Sequence, residues 1–167
     1  MTTCMAATPE ELAQLERLRQ SGILLDAQGR FLHEGREVEH AGLRAALWRW
    51  LDRLPDGRYV LRLDERRFVY LDVEDAPHRV RSLRWEAGRA LLLLADGSEE
   101  PLDPATVRLG AGGVAYCRVK GGRFEARLSP AAWSALAEHI DRDEAGGEDQ
   151  VVLVAEGRRY PLALGSR

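Results

Sequence analysis

A chain of 167 residues, 45% apolar, carries 24 basic and 27 acidic side chains for a net charge of −3. That length can bury a core without a metal or disulfide staple and suits one domain or two small ones, while the slight acidic excess argues against a dedicated nucleic-acid binder, which needs a sustained positive field. Cys4 and Cys117 stand more than a hundred positions apart and are read as free thiols, not as a disulfide framework.

The first residues lack the basic start and unbroken apolar run of a secretory signal, and LLLL at 91–94 is far too short to cross a bilayer, so a cytoplasmic location is expected. Thr8-Pro9-Glu10-Glu11 predicts a helix start: the Thr hydroxyl can cap free N–H groups, Pro is tolerated in the first turn, and Glu11 completes a capping box. Leu12, Leu15 and Leu18 make its apolar stripe and Ser21-Gly22 ends it; such a helix is expected to lie on the body of the protein. Residues 23–25 predict a short strand before the turn at Ala27-Gln28-Gly29.

From about residue 30 the chain makes one statement twice, a short hairpin, an amphipathic helix and a second hairpin, over residues 30–71 and again over 114–164. Leu43, Ala46, Leu47 and Trp50 in the first helix take the same i, i+3, i+4, i+7 offsets as Trp133, Leu136, Ala137 and Ile140 in the second. Turns are predicted at Glu34-Gly35 and Asp56-Gly57, where Gly supplies the positive φ of a tight reversal. Between the copies, residues 78–94 predict a further hairpin turning at Ala87-Gly88, and Asp96-Gly97 marks the next reversal. The stretch 141–149, DRDEAGGED, is acidic and Gly-rich and predicts a surface loop. No strand, long helix, strand alternation occurs, so the class is α+β: two similar, mainly antiparallel β-rich halves, each with one amphipathic helix, plus an N-terminal helix. The expected divisions are 1–22 for the N-terminal helical segment, 23–77 for the first domain and 78–167 for the second. A seam between similar halves is a natural ligand or partner site.

Val73-Glu74-Asp75-Ala76-Pro77, the hairpin around Phe31 and Gly35, the helix through Trp48, and the later pattern of Tyr116, Arg118, Glu125 and Ala126 resemble a bacterial family of unknown function, DUF1285, over nearly the whole chain from Ile23 onward. The resemblance implies a two-part duplicated fold whose second half is similar to pleckstrin-homology-like domains. It also implies a small, nucleotide-like ligand at the interface of the halves and a role in signalling. This chain departs from the family pattern in placing His78 after Ala76-Pro77, where an aromatic is usual, and in having Tyr160 as the one aromatic of its C-terminal VVLVAEGRRYPL.

Glu74 and Asp75 are adjacent carboxylates able to accept hydrogen bonds from a ligand or to hold a cation; alternatively they turn the chain, Asp bonding its own backbone while Pro77 keeps the preceding residue extended. Arg118 and Arg127 lie on facing predicted strands with Glu125 close by. A guanidinium fork suits phosphate or carboxylate, which makes Arg118 the first choice for an anion clamp; a plain cross-strand Arg–Glu pair is the alternative. Gly110 to Gly113 can present N–H groups to an anion but lead into a strand, as a connecting loop does. Arg79, Arg81 and Arg84 beside Trp85 supply the material of a nucleic-acid platform, or the charges that protect an edge strand.

His33, His40, His78 and His139 show no metal-ligand spacing and are expected as exposed turn residues or helix caps. No metal or cofactor is expected, and no nucleophile motif supports covalent catalysis. Trp50 and Trp133 are expected in the core, and Trp48, off its stripe, against the neighbouring half. The resulting expectation is a non-enzymatic cytoplasmic protein sensing a nucleotide-like or other small anionic ligand between its halves, with Arg118 as clamp and Glu125, Glu74 and Asp75 as acceptors. The alternative is a protein–protein interaction module without a small ligand, using a strand edge or the Trp48 surface; a hydrolase built on scattered carboxylates and histidines is the third.

Overall fold

The computed structural model describes residues 8–143 and 150–165, so Cys4 and most of the acidic, Gly-rich stretch lie outside the described residues. The chain divides into two compact units, Met1–Glu74 and Asp75–Arg167, and both are mixed helix and mainly antiparallel sheet. No helix among the described residues is long and apolar enough to cross a membrane.

The first unit opens with helix α1 (Pro9–Leu18), started as its sequence dictates: the Glu11 N–H donates to Thr8 Oγ1 at 3.3 Å and the Thr8 N–H to the Glu11 carboxylate at 2.8 Å. Strands β1 (Gln20–Leu25), β2 (Phe31–His33) and β3 (Arg36–Glu37) follow, then helix α2 (Ala41–Trp50) and strands β4 (Leu51–Arg53), β5 (Tyr59–Arg62) and β6 (Phe68–Val73). They form one sheet in the order β3-β2-β1-β6-β5-β4, antiparallel except for the parallel pair β1–β6. Glu34 and Gly35, with φ of 50° and 80°, make the tight reversal between β2 and β3. The core gathers Leu25, Phe31 and Leu61 from the sheet with Ala46 and Leu47 of α2, while Val60, next to Leu61, is buried on the sheet's other face beside Tyr70, and His40 caps α2 by accepting the Leu43 N–H at 3.2 Å.

Trp48 meets Phe31 of its own unit edge to face, with ring centroids 4.8 Å apart. Helix α1 has no buried residue, and Leu12, Leu15 and Leu18 are exposed. Its polar side is turned inward: the Tyr70 hydroxyl donates to the Glu16 carboxylate, and the Arg19 guanidinium lies 4.1 Å from the Phe68 ring centroid.

The second unit begins with β7 (His78–Glu86), β8 (Arg89–Leu94) and β9 (Glu99–Pro101). Then come β10 (Arg108–Leu109), β11 (Ala115–Val119), β12 (Phe124–Leu128), helix α3 (Pro130–Ala137), β13 (Ile140–Asp143), β14 (Gln150–Ala155), β15 (Arg158–Pro161) and β16 (Ala163–Leu164). One sheet runs β16-β10-β11-β12-β7-β8-β9 and a second β13-β14-β15. Alternation along β11 and β12 buries Ala115, Cys117, Val119, Phe124, Ala126 and Leu128 on one face. Ser129 caps α3, Ala132 and Leu136 are its buried residues, and it ends at Ala137, so Ile140 is the first residue of a strand and not the last of a helical stripe. Strand β7 is no edge strand: its first residues pair with β12 in parallel and the rest with β8.

The duplication extends to topology and reaches one strand further than the repeated sequence pattern. In the first unit β1 pairs antiparallel with β2 and parallel with β6, and α2 leads into the meander β4-β5-β6. In the second, β10 pairs antiparallel with β11 and parallel with β16, and α3 leads into β13-β14-β15. The counterpart of β6 is interrupted at Leu162, which is buried, so β15 and β16 fall in different sheets. Strands β7 to β9 are the addition of the second unit, placed beyond β12, the counterpart of the first unit's edge strand β3.

Candidate functional site

The face of the second unit's large sheet opposite its core carries a row of arginines. Register places Arg108 beside Tyr116, Tyr116 beside Arg127, and Arg127 beside Arg79, on β10, β11, β12 and β7. Side chains directly opposite across paired strands project to the same face, and neighbouring strands lie about 4.8 Å apart. Arg118 and Glu125, also opposite each other, stand two residues further along β11 and β12 on that face. Four guanidiniums thus share one surface with a phenol and a single strand-borne carboxylate.

Asp75 supplies the second carboxylate. Its side chain is 8% exposed and accepts the Tyr116 hydroxyl at 2.9 and 3.1 Å and Arg127 Nη1 at 3.0 Å. Glu125 takes a two-pronged hydrogen bond from Arg108, at 2.8 Å from Nε and 2.6 Å from Nη2, and this bond holds the Arg108 guanidinium still more firmly protonated. Arg108 lies flat against Tyr116, its guanidinium carbon 4.2 Å from the ring centroid. Tyr116 in turn presses on the backbone at Gly110, where an added Cβ would sit 2.9 Å from its Cε2. The glycine stretch therefore serves this packing: Gly110 to Gly113 form a short turn between β10 and β11, with the Gly110 N–H bonded to Val114 O at 2.7 Å.

Arg118 is exposed and, among the described residues, has no carboxylate partner; its Nη1 reaches the Gly122 carbonyl at 3.5 Å, and its backbone N–H donates to Thr106 Oγ1 at 3.0 Å. It lines a recess of about 360 Å³ with Glu100, Asp103 and Thr106. The Glu125 it faces is bonded to Arg108 instead, so the cross-strand Arg118–Glu125 pair does not form. Glu74 belongs to the first unit, where its carboxylate accepts the Ala27 N–H at 2.7 Å and steadies the turn after β1. Of the four residues singled out from sequence, the structure gathers Arg118, Glu125 and Asp75 on one face of the second unit and gives Glu74 a local turn-holding bond in the first.

Tyr116 and Arg127 are legible in hindsight from alternation, because A-Y-C-R-V and F-E-A-R-L each place polar residues at every second position. Arg108 carries no such signal, since its strand is two residues long. His78, expected at a turn, is instead buried in β7 and packs edge-on against Phe124 with centroids 5.2 Å apart, taking the place of an aromatic. Its burial, opposed in part by the Asp96 carboxylate, lowers its pKa to about 4. His139 stacks on Trp85 at 3.7 Å, and Trp85 Nε1 donates to the Ala135 carbonyl at 2.9 Å. No group of three or more His, Cys, Asp or Glu among the described residues is arranged to hold a metal ion.

Two solved structures share this fold. A DUF1285 family protein from Silicibacter pomeroyi DSS-3 superposes with a TM-score of 0.72 at 16% identity, over 86% of this chain and 80% of that one. A DUF1285 family protein from Shewanella baltica OS155 superposes with a TM-score of 0.58 at 18% identity, over 70% of this chain and 90% of that one. The resemblance to DUF1285 thus holds as a likeness of fold. No protein-family model and no curated protein matches the chain.

Proposed function

We propose that the protein is a binding protein for a small anion, phosphate-bearing or carboxylate-bearing, taken up on the arginine face of its second unit. The observation that carries this reading is the register row Arg108, Tyr116, Arg127, Arg79 with Arg118 alongside. On this face Arg127 is bonded to Asp75 and Arg108 to Glu125. Arg118 offers an exposed planar fork that, among the described residues, has no carboxylate partner. Asp75 and Glu125 act as positioning groups that hold Arg127 and Arg108 in place, and Tyr116 gives Arg108 a flat surface to rest on.

The test is calorimetric titration of the purified protein with inorganic phosphate and with nucleoside monophosphates at low ionic strength. The expected result is saturable binding that weakens with added salt, is lost in Arg118→Ala and is partly kept in Arg118→Lys. Binding unchanged by Arg118→Ala, or none to any of these anions, overturns the reading.

A second reading, a protein-interaction module, is favoured by one observation, the exposed leucines of α1.

A further inference from the structure

Charges of both signs line one recess of the second unit without pairing. Arg118 shares the recess of about 360 Å³ with Glu100 and Asp103, and among the described residues none of the three forms an ion pair. Glu100 accepts the Lys120 backbone N–H on Oε1 at 2.8 Å, and Asp103 accepts the Ala105 N–H on Oδ1 at 3.1 Å, capping the short turn at Pro104–Thr106. Each carboxylate keeps its second oxygen unbonded among the described residues.

The backbone fixes this arrangement. Thr106 Oγ1 donates to the Asp103 carbonyl at 2.8 Å and accepts the Arg118 N–H at 3.0 Å, so one hydroxyl ties together the two stretches that carry opposite charges. Glu100 is held by the turn between β11 and β12, and at Gly121 and Gly122, with φ of 67° and 82°, that turn lines the recess without side chains. The volume lies at the small end of the about 300–1,000 Å³ usual for ligand pockets. A bare anion docked on Arg118 would face two carboxylates that nothing neutralises. A ligand with a cationic group beside its anionic one answers both, through charge-assisted hydrogen bonds, which are the strong ones.

We propose that the Arg118 recess binds a small zwitterion, a free amino acid, whose carboxylate lies on the Arg118 guanidinium and whose ammonium is taken by Asp103 and Glu100. This rests on Arg118 as the anion contact and narrows the ligand class. The guanidinium fork matches a carboxylate two-pronged, and an ammonium brings three donors for the oxygens that Asp103 and Glu100 leave open. A phosphate or a nucleoside monophosphate supplies the anion alone and is the poorer match.

Calorimetric titration of the full chain at pH 7 with matched pairs tests this: glycine against acetate, β-alanine against propionate, and 4-aminobutyrate against butyrate. Each pair differs by the ammonium alone, and the series varies the spacing of the two charges. At least one amino acid is expected to bind about tenfold more tightly than its matched acid. Asp103→Asn and Glu100→Gln each keep the oxygen that serves the fold and remove the charge. With both changes made together, the amino acid should lose that advantage while the matched acid binds as well as before or better; Arg118→Ala should abolish binding of both. Phosphate or simple acids held through Arg118 with no gain for any amino acid overturn the zwitterion and leave the anion reading standing. No binding of phosphate, acid or amino acid overturns both. An amino acid that keeps its advantage in the folded double variant also overturns the proposal, because its ammonium then lies away from Asp103 and Glu100.

Discussion

The Tyr116 hydroxyl, 2.9 Å from Asp75 Oδ1, ties the first residue of the second unit to the middle of its sheet, and Arg127 completes the bond from the adjoining strand at 3.0 Å. Asp75 is nearly buried, so removing it strands a guanidinium and a hydroxyl that were arranged around its charge. Asp75→Ala is expected to lower stability by about 2 to 3 kcal/mol and Tyr116→Phe by about 1 kcal/mol. The double variant should lose less than the sum, because both changes break one interaction. Urea unfolding of the four proteins reads this; strict additivity would show that the Tyr116–Asp75 bond contributes nothing.

His78 makes the fold sensitive to acid. Its pKa falls from an ordinary 6.5 to about 4 because burial disfavours the imidazolium. The unfolded chain therefore takes up a proton between pH 6.5 and pH 4 that the native chain refuses. The stability linked to His78 is complete above pH 6.5 and is lost as the pH falls toward 4, by roughly 3 kcal/mol over the window. His78→Phe, which keeps a ring against Phe124, should have a flatter stability profile across that window than the parent. Parallel profiles in urea unfolding from pH 7 to pH 4 would mean that His78 is charged in the native state.

Cys117 is 1% exposed, and burial pushes its thiol up to about 12. Thiolate is the reactive form, so Cys117 in the native Cys4→Ser variant should fail to react with a disulfide reagent at pH 8 and react at once in denaturant. Reaction in native buffer at the rate of a free thiol would place Cys117 in an opening segment of the sheet.

Gly110 has a backbone conformation open to any residue, with φ −90° and ψ −174°, so its constraint is space alone. Gly110→Ala drives a methyl into Tyr116 at 2.9 Å and is expected to cost about 1 to 3 kcal/mol by overpacking. In a Tyr116→Val background the penalty should largely vanish, measured by thermal unfolding. A penalty of equal size in both backgrounds would point to the glycine's own conformation.

The hairpins and helix starts are legible because each rests on neighbouring residues: Glu34-Gly35 and Ala87-Gly88 turn the chain with positive φ, and Thr8 and Ser129 cap helices three residues away. What escapes a local reading is set by pairing across the sheet. The hydrophobic pattern of residues 78–86 is the same whether β7 lies at an edge or inside, and only the parallel docking of β12 decides it. Arg108 joins the candidate site through a two-residue strand that no periodicity can reveal. Arg118 and Glu125 are foreseeable as neighbours, but the carboxylate goes to Arg108 because that guanidinium arrives flat on Tyr116 with both donors aligned. For α1, periodicity locates the leucine stripe and is silent on which side the body lies.

Each copy of the duplicated topology ends by clasping its own beginning: Leu25 pairs with Val73 in the first, Leu109 with Leu164 in the second. Local hairpins form in microseconds, whereas a contact between distant stretches must first overcome the entropy of closing the loop between them. During synthesis the first unit therefore has its hairpins early and stays open until Val73 has emerged. The second waits in the same way for Leu164, so the two halves mature one after the other, each completed by its last strand.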